Sequence, residues 1–132
     1  MDESKRFPCA VLVVDDEPGM LNFLQRALSS RCALVEVADS VAAAEQLCER
    51  YHFDLLIVDI RLSDASGVEW LQQLRDRGSR ADVIFMTAYA DLDTAIAALC
   101  AGAVDFVLKP FRLEQIMNAV KRCLENQRVA RE

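Results

Sequence analysis

The sequence predicts an α/β fold, a single parallel sheet with helices on both faces, and three observations lead there. Short β-favouring runs alternate with segments of helical spacing along the chain. The runs are continuously apolar rather than alternating, as suits central strands covered on both sides. The connections are short, which joins successive strands through right-handed crossover helices.

The first strand is read at Val11 to Val14, and Pro18 just beyond it suits the first turn of a helix with the stripe Met20, Phe23, Leu24, Ala27 and Leu28. A second strand follows at Leu34 to Val37. Asp39 or Ser40 then caps a helix that carries Val41, Ala44, Leu47 and Cys48. The third strand spans Leu55 to Val58, and its helix, with Val68, Leu71 and Leu74, stops before Gly78. Val83 to Met86 form the fourth strand, and a helix with Leu92, Ile96 and Leu99 ends before Gly102. Phe106 to Leu108 form the fifth strand. A last helix docks through Leu113, Ile116, Met117, Val120 and Leu124, so residues 1–124 read as one domain. The polar end, residues 125–132, reads as the start of a linker to a C-terminal output domain outside this chain.

Composition narrows the function. The chain has 132 residues, enough for one self-sufficient core, and no apolar run approaches the roughly 18 to 20 residues needed to cross a bilayer. Its start mixes charges of both signs and does not resemble a secretory signal, so a cytoplasmic location is expected. Cys9, Cys32, Cys48, Cys100 and Cys123 are odd in number, with no C-x-x-C pair, and read as reduced core thiols. A net charge of −6 speaks against direct nucleic-acid binding by this domain.

The chemistry is carried by charged residues at strand ends. In "VLVVDDEPG" an apolar strand runs into Asp15, Asp16 and Glu17. Like charges about 6 Å apart at an effective dielectric near 20 repel by roughly 3 kcal/mol, so the cluster asks for a cation. In doubly wound sheets ligands bind at the carboxyl ends of strands, and there "LLIVDIRLSDASG" delivers Asp59, "VIFMTAYA" Thr87 and "DFVLKPF" Lys109. Each alone suits a bland role: a helix cap, a strand-end hydroxyl, a solvated cation. Together they fit metal-assisted phosphoryl transfer. Carboxylates without nearby His or Cys favour Mg²⁺, Lys109 would neutralise phosphoryl oxygens, and Asp59 is the candidate nucleophile.

From Val11 to Leu124 the pattern resembles the response-regulator receiver domain of two-component signalling, through the acid pair, the strand-three aspartate, the Thr-Ala of strand four and the Lys-Pro of strand five. The stretch "TAYADLDTAIAALCAGAVDFVLKPF" most resembles receivers of nitrogen-regulation-type, sigma-54-dependent transcription activators. The resemblance implies a flavodoxin-like sheet of order 2-1-3-4-5. It implies that Asp15 and Asp16 hold Mg²⁺ together with Asp59 and the backbone carbonyl of Arg61, and that Asp59 accepts a phosphoryl group from a sensor histidine kinase. Thr87 and Lys109 would bind the phosphoryl oxygens, with a cis peptide before Pro110 and Phe106 at the switch position. Tyr89 and the side chain of Arg61 would tune the phosphorylated lifetime. The output face would be the fourth helix, fifth strand and fifth helix, through which the domain would form a homodimer. Ser63 stands where the family commonly has proline, which predicts a looser loop before Gly67. His52, in "ERYHFDLL", lies away from the active rim and is given a surface or packing role.

Rival readings are weaker. A small Mg²⁺-dependent phosphatase of the haloacid-dehalogenase type also forms an aspartyl phosphate, but needs a second aspartate two positions after the first; here Glu17 stands two after Asp15. A flavin- or nucleotide-binding module would need a glycine-rich loop, and the chain has only 4 glycines and no such motif. A receiver-like module that no longer takes phosphate is disfavoured by the intact set of site residues.

Overall fold

The computed structural model describes residues 7–88, 91–100 and 102–131. Strands β1 (Phe7–Val14), β2 (Cys32–Ala38), β3 (Leu55–Asp59), β4 (Asp82–Ala88) and β5 (Asp105–Lys109) alternate with helices α1 (Pro18–Ser29), α2 (Val41–Arg50), α3 (Gly67–Asp76), α4 (Leu92–Cys100) and α5 (Leu113–Arg131). All strand pairs are parallel and the order is β2-β1-β3-β4-β5, as the resemblance implied.

Alternate residues of each strand feed two separate cores. Val11, Val13, Leu55, Ile57, Ile84 and Met86 pack beneath α1 and α5, against Leu24, Leu28, Ile116 and Val120. Leu12, Val14, Leu56, Val58, Val83 and Phe85 face the other way, against Trp70, Leu71 and Leu74 of α3 and Ala98 of α4. Burying a side chain of this size contributes about 1.5–3 kcal/mol, which is why the central strands read as unbroken apolar runs. Trp70, 2% exposed, still satisfies its indole N–H by donating to Glu45 Oε1 on α2 at 2.8 Å, and Arg77 clamps the same carboxylate.

The helix ends follow local chemistry. Pro18 opens α1, and Ser40 rather than Asp39 caps α2 by accepting from the Ala43 N–H. Gly78 and Gly102 take φ of 89° and 116° just past α3 and α4, a conformation an L side chain resists. The first strand begins at Phe7, four residues before the apolar run suggested. Pro8 cannot donate to a ladder, and the β1–β2 register shifts between Phe7 and Ala10. The β1–β3 pairing starts at Val11, and one residue earlier the Ala10 carbonyl accepts from the Asp54 N–H at 2.9 Å. Cys9, Cys32 and Cys123 are buried thiols, Cys48 is half-buried, and Cys100 is exposed and therefore no part of the core. His52 is exposed. Helix α5 is continuous past residue 124, and Gln127 still donates to the Asp54 carbonyl and the Asp82 carboxylate. No helix of the described residues is long and apolar enough to cross a membrane.

Candidate phosphoacceptor site

The carboxyl ends of β1, β3 and β5 bring three predicted groups into contact. The Lys109 ammonium lies 2.8 Å from Asp15 Oδ2 and 2.8 Å from Asp59 Oδ2. Asp15 is fully buried and spends its other oxygen on the Glu17 N–H at 2.9 Å, which turns the chain into α1. Asp59 Oδ1 accepts from the Arg61 N–H at 3.0 Å. Asp16 is exposed, yet Asp15, Asp16 and Asp59 each place a carboxylate oxygen within 4.8 Å of the others.

This arrangement answers the charge problem of the first strand in part. One ammonium neutralises one of three carboxylates, leaving two negative charges, the complement of a divalent cation. The donors are hard oxygens, which suits Mg²⁺. Among the described hydrogen bonds none ends on the Arg61 carbonyl oxygen, so it is available as a further ligand. Burial raises the pKa of Asp59, only partly offset by its hydrogen bonds from Lys109 and the Arg61 N–H. For Lys109 burial acts against the charge, but its bonds to Asp15 and Asp59 outweigh it and hold the pKa above the usual lysine value.

Thr87 is 1% exposed at the end of β4, one residue past the Asp59–Met86 pairing. Its hydroxyl donates to the Ala88 carbonyl at 3.3 Å, so it is near the cluster in register but bonded elsewhere. Phe106 pairs with Phe85 across β4 and β5 and is partly buried against the α3–α4 side of the core. The Lys109–Pro110 peptide is cis. Tyr89 lies outside the described residues.

Three residues that sequence reasoning did not single out for the site complete it. At Gly67 a Cβ would meet the Asp59 carbonyl oxygen at 2.7 Å and Phe85 Cε1 at 3.0 Å, so only glycine lets α3 start against the end of β3. Asp64 reaches from the β3–α3 loop to the first turn of α2 and accepts from the Val41 and Ala42 N–H groups at 3.1 and 3.2 Å. With the Leu62 N–H to Ala65 bond, this ties down the loop that contains Ser63. Asp91, 8% exposed, accepts from Arg61 Nε at 2.7 Å. Nothing local marked Asp64 or Asp91, because their partners lie 22 to 30 positions away.

A parallel 2-1-3-4-5 sheet with an adjacent acid pair at the end of β1, a facing aspartate and a strand-five lysine is the architecture of a two-component receiver. Residues 11–121 match the family described as response regulator receiver domain, and the chain belongs to it. It is 35% identical over 122 residues to the regulatory protein AtoC of Escherichia coli, and 40% identical over 113 residues to the response regulator protein PilR of Pseudomonas aeruginosa. Those matches cover 92% and 86% of this chain but only 26% and 25% of the relatives, so the chain spans about a quarter of their length. Among solved structures, the beryllofluoride-activated NtrC4 receiver domain dimer superposes with a TM-score of 0.79 at 28% identity, covering 89% of this chain and 97% of that one. A receiver domain from Clostridium thermocellum shares the fold at a TM-score of 0.84 and 24% identity, covering 92% of this chain and 98% of that one. The phosphatase alternative is not favoured by these matches.

Proposed function

We propose that this domain is a phosphoacceptor switch in which Asp59 takes a phosphoryl group from a histidine of a partner sensor kinase. The observation that carries the reading is the cluster itself: three carboxylates within 4.8 Å, with the Lys109 ammonium 2.8 Å from two of them. An Asp59 oxygen attacks phosphorus; the P–O bond forms as the P–N bond of the phosphohistidine breaks, and the imidazole leaves. Asp15, Asp16, Asp59 and the Arg61 carbonyl would hold Mg²⁺, which when bound supplies the positive charge that transfer between anions requires. Lys109 shifts its contact from the Asp59 carboxylate to the phosphoryl oxygens, and Thr87 turns its hydroxyl from Ala88 toward them. The domain is not a catalyst of external substrates in this reading.

Movement of Thr87 vacates space that Phe106 can enter, which couples the site to the face of α4, β5 and α5. On α4, Ile96 is 51% and Leu99 37% exposed, apolar surface suited to a homodimer or an output domain. Residues 125–132 would lead to that output, and a further relative, the alginate biosynthesis transcriptional regulatory protein AlgB of Pseudomonas putida, 36% identical over 115 residues, makes transcription control the favoured readout. A cytoplasmic location goes with this reading, and the free thiols and a kinase donor support it.

The test is incubation with Mg²⁺ and acetyl phosphate, followed by intact-mass and peptide analysis. One phosphate should appear, on Asp59, and vanish in Asp59→Asn or without the metal. Turnover of free phosphomonoesters, or labelling that persists in Asp59→Asn, would overturn the proposal.

A further inference from the structure

We infer that Asp91 is a positioning residue for the phosphoacceptor site: it holds the Arg61 guanidinium across the gap between the β3–α3 and β4–α4 connections, where that side chain limits the approach of water to phosphorylated Asp59. The inference rests on the phosphoacceptor reading above.

The contact differs from an ordinary surface ion pair. The Arg61 side chain is 75% exposed and would otherwise sample many rotamers, but the Asp91 carboxylate that receives it is only 10% exposed. Nε donates at 2.7 Å and a second guanidinium nitrogen contacts the same oxygen, so the planar fork is fixed in orientation as well as place. At its other end Arg61 is tied through its own N–H to Asp59 Oδ1 at 3.0 Å. The residue therefore runs from the phosphoacceptor to the position just before α4, bridging the adjacent strands β3 and β4 at the rim where Thr87 sits. Water that hydrolyses an aspartyl phosphate must approach in line, opposite the carboxylate oxygen, from the solvent side of this rim. A pinned guanidinium narrows that approach; a released one swings into solvent.

Asp91 lies outside the groups that touch the phosphoryl or the metal, so its removal should separate loss of phosphate from gain. The experiment follows first-order decay of phosphorylated Asp59 at saturating Mg²⁺ after the donor is removed, in wild type, Asp91→Asn, Asp91→Glu, Arg61→Ala and the Arg61→Ala/Asp91→Asn double variant. Asp91→Asn and Arg61→Ala should each speed decay by about threefold or more, and the double variant should decay no faster than either, because both changes open one contact. Asp91→Glu should recover most of the lifetime. Affinity of Asp91→Asn for beryllofluoride should stay within about twofold of wild type, a readout that general damage to the site would move. Decay that is unchanged or slower in both single variants, or additive in the double one, overturns the inference. If Asp91→Asn does not fold, Arg61→Lys, altered at an exposed side chain, decides the matter: it keeps the charge and loses the fork, and a wild-type lifetime there counts against the inference. A wild-type protein that takes no phosphoryl group at all overturns the phosphoacceptor reading, and this one with it.

Discussion

At the carboxyl end of the sheet three carboxylates crowd around one ammonium, whereas at the amino end Asp105 has the Arg122 guanidinium at 2.9 Å and Asp54 and Asp82 take up backbone and side-chain donors. There Asp54 accepts from the Ala10 N–H at 2.9 Å, and Asp82 accepts from Gln127 and from the Cys123 thiol. Burial, with Asp82 beside it, pushes the Cys123 thiol up to about 12, and its hydrogen bond with Cys32, together with burial, keeps Cys9 protonated. Through Asp54 and Asp82, hydrogen bonds at the amino end thus join β1, β4 and α5. The carboxyl end keeps two uncompensated negative charges, which folding alone would not select. What distinguishes the ends is which one still needs a ligand, since among the described residues no buried side-chain nitrogen or oxygen lacks a partner at either.

The sharpest way to break this contrast is Lys109→Met. It strips the shared ammonium from fully buried Asp15 and from Asp59, and should cost about 3 kcal/mol in urea unfolding. Added Mg²⁺ should raise the unfolding midpoint of the variant more than that of wild type, because a divalent ion replaces the missing charge; equal responses would argue against a metal at these carboxylates.

Gly67→Ala comes next. The new methyl would press on the Asp59 carbonyl and Phe85, for about 2 kcal/mol of destabilisation. The same displacement should weaken beryllofluoride binding, measurable by titration, because Asp59 and the Arg61 carbonyl sit on the chain that must shift.

At the other end, Gln127→Ala should lower stability by about 1 kcal/mol, since it removes one donor each from the Asp54 carbonyl, which keeps the Asp82 N–H, and from the Asp82 carboxylate, which keeps the Cys123 thiol. Its rate of phosphoryl loading from acetyl phosphate should match wild type, and a changed rate would mean that the two ends are coupled.

The smallest effect lies between α2 and α3. The hydrogen bond from Arg77, opposed by burial and helped by Trp70, holds the Glu45 carboxyl below its usual range. A lowered folded-state pKa contributes stability that is complete above the ordinary carboxylate value and is lost as pH falls through the lowered one. Wild type should therefore lose up to about 1 kcal/mol more than Glu45→Gln over that acid interval, read from urea midpoints against pH.

What the sequence by itself determined is the alternation of elements, the two-sided burial of the strands, and the acidic and basic residues at the strand ends. Those features are periodicities and adjacencies, written along the chain and readable without coordinates. Only the tertiary structure decided that β1 extends past Pro8, that Ser40 and not Asp39 caps α2, and that Cys100 stands outside the core. It also decided the supports around Asp59: the glycine at 67 that fits beneath its carbonyl, the Asp64 cap on α2 and the Asp91 grip on Arg61. Such contacts join residues up to 30 positions apart, and their formation depends on how two loops are aimed after the sheet has assembled, a quantity no local pattern encodes.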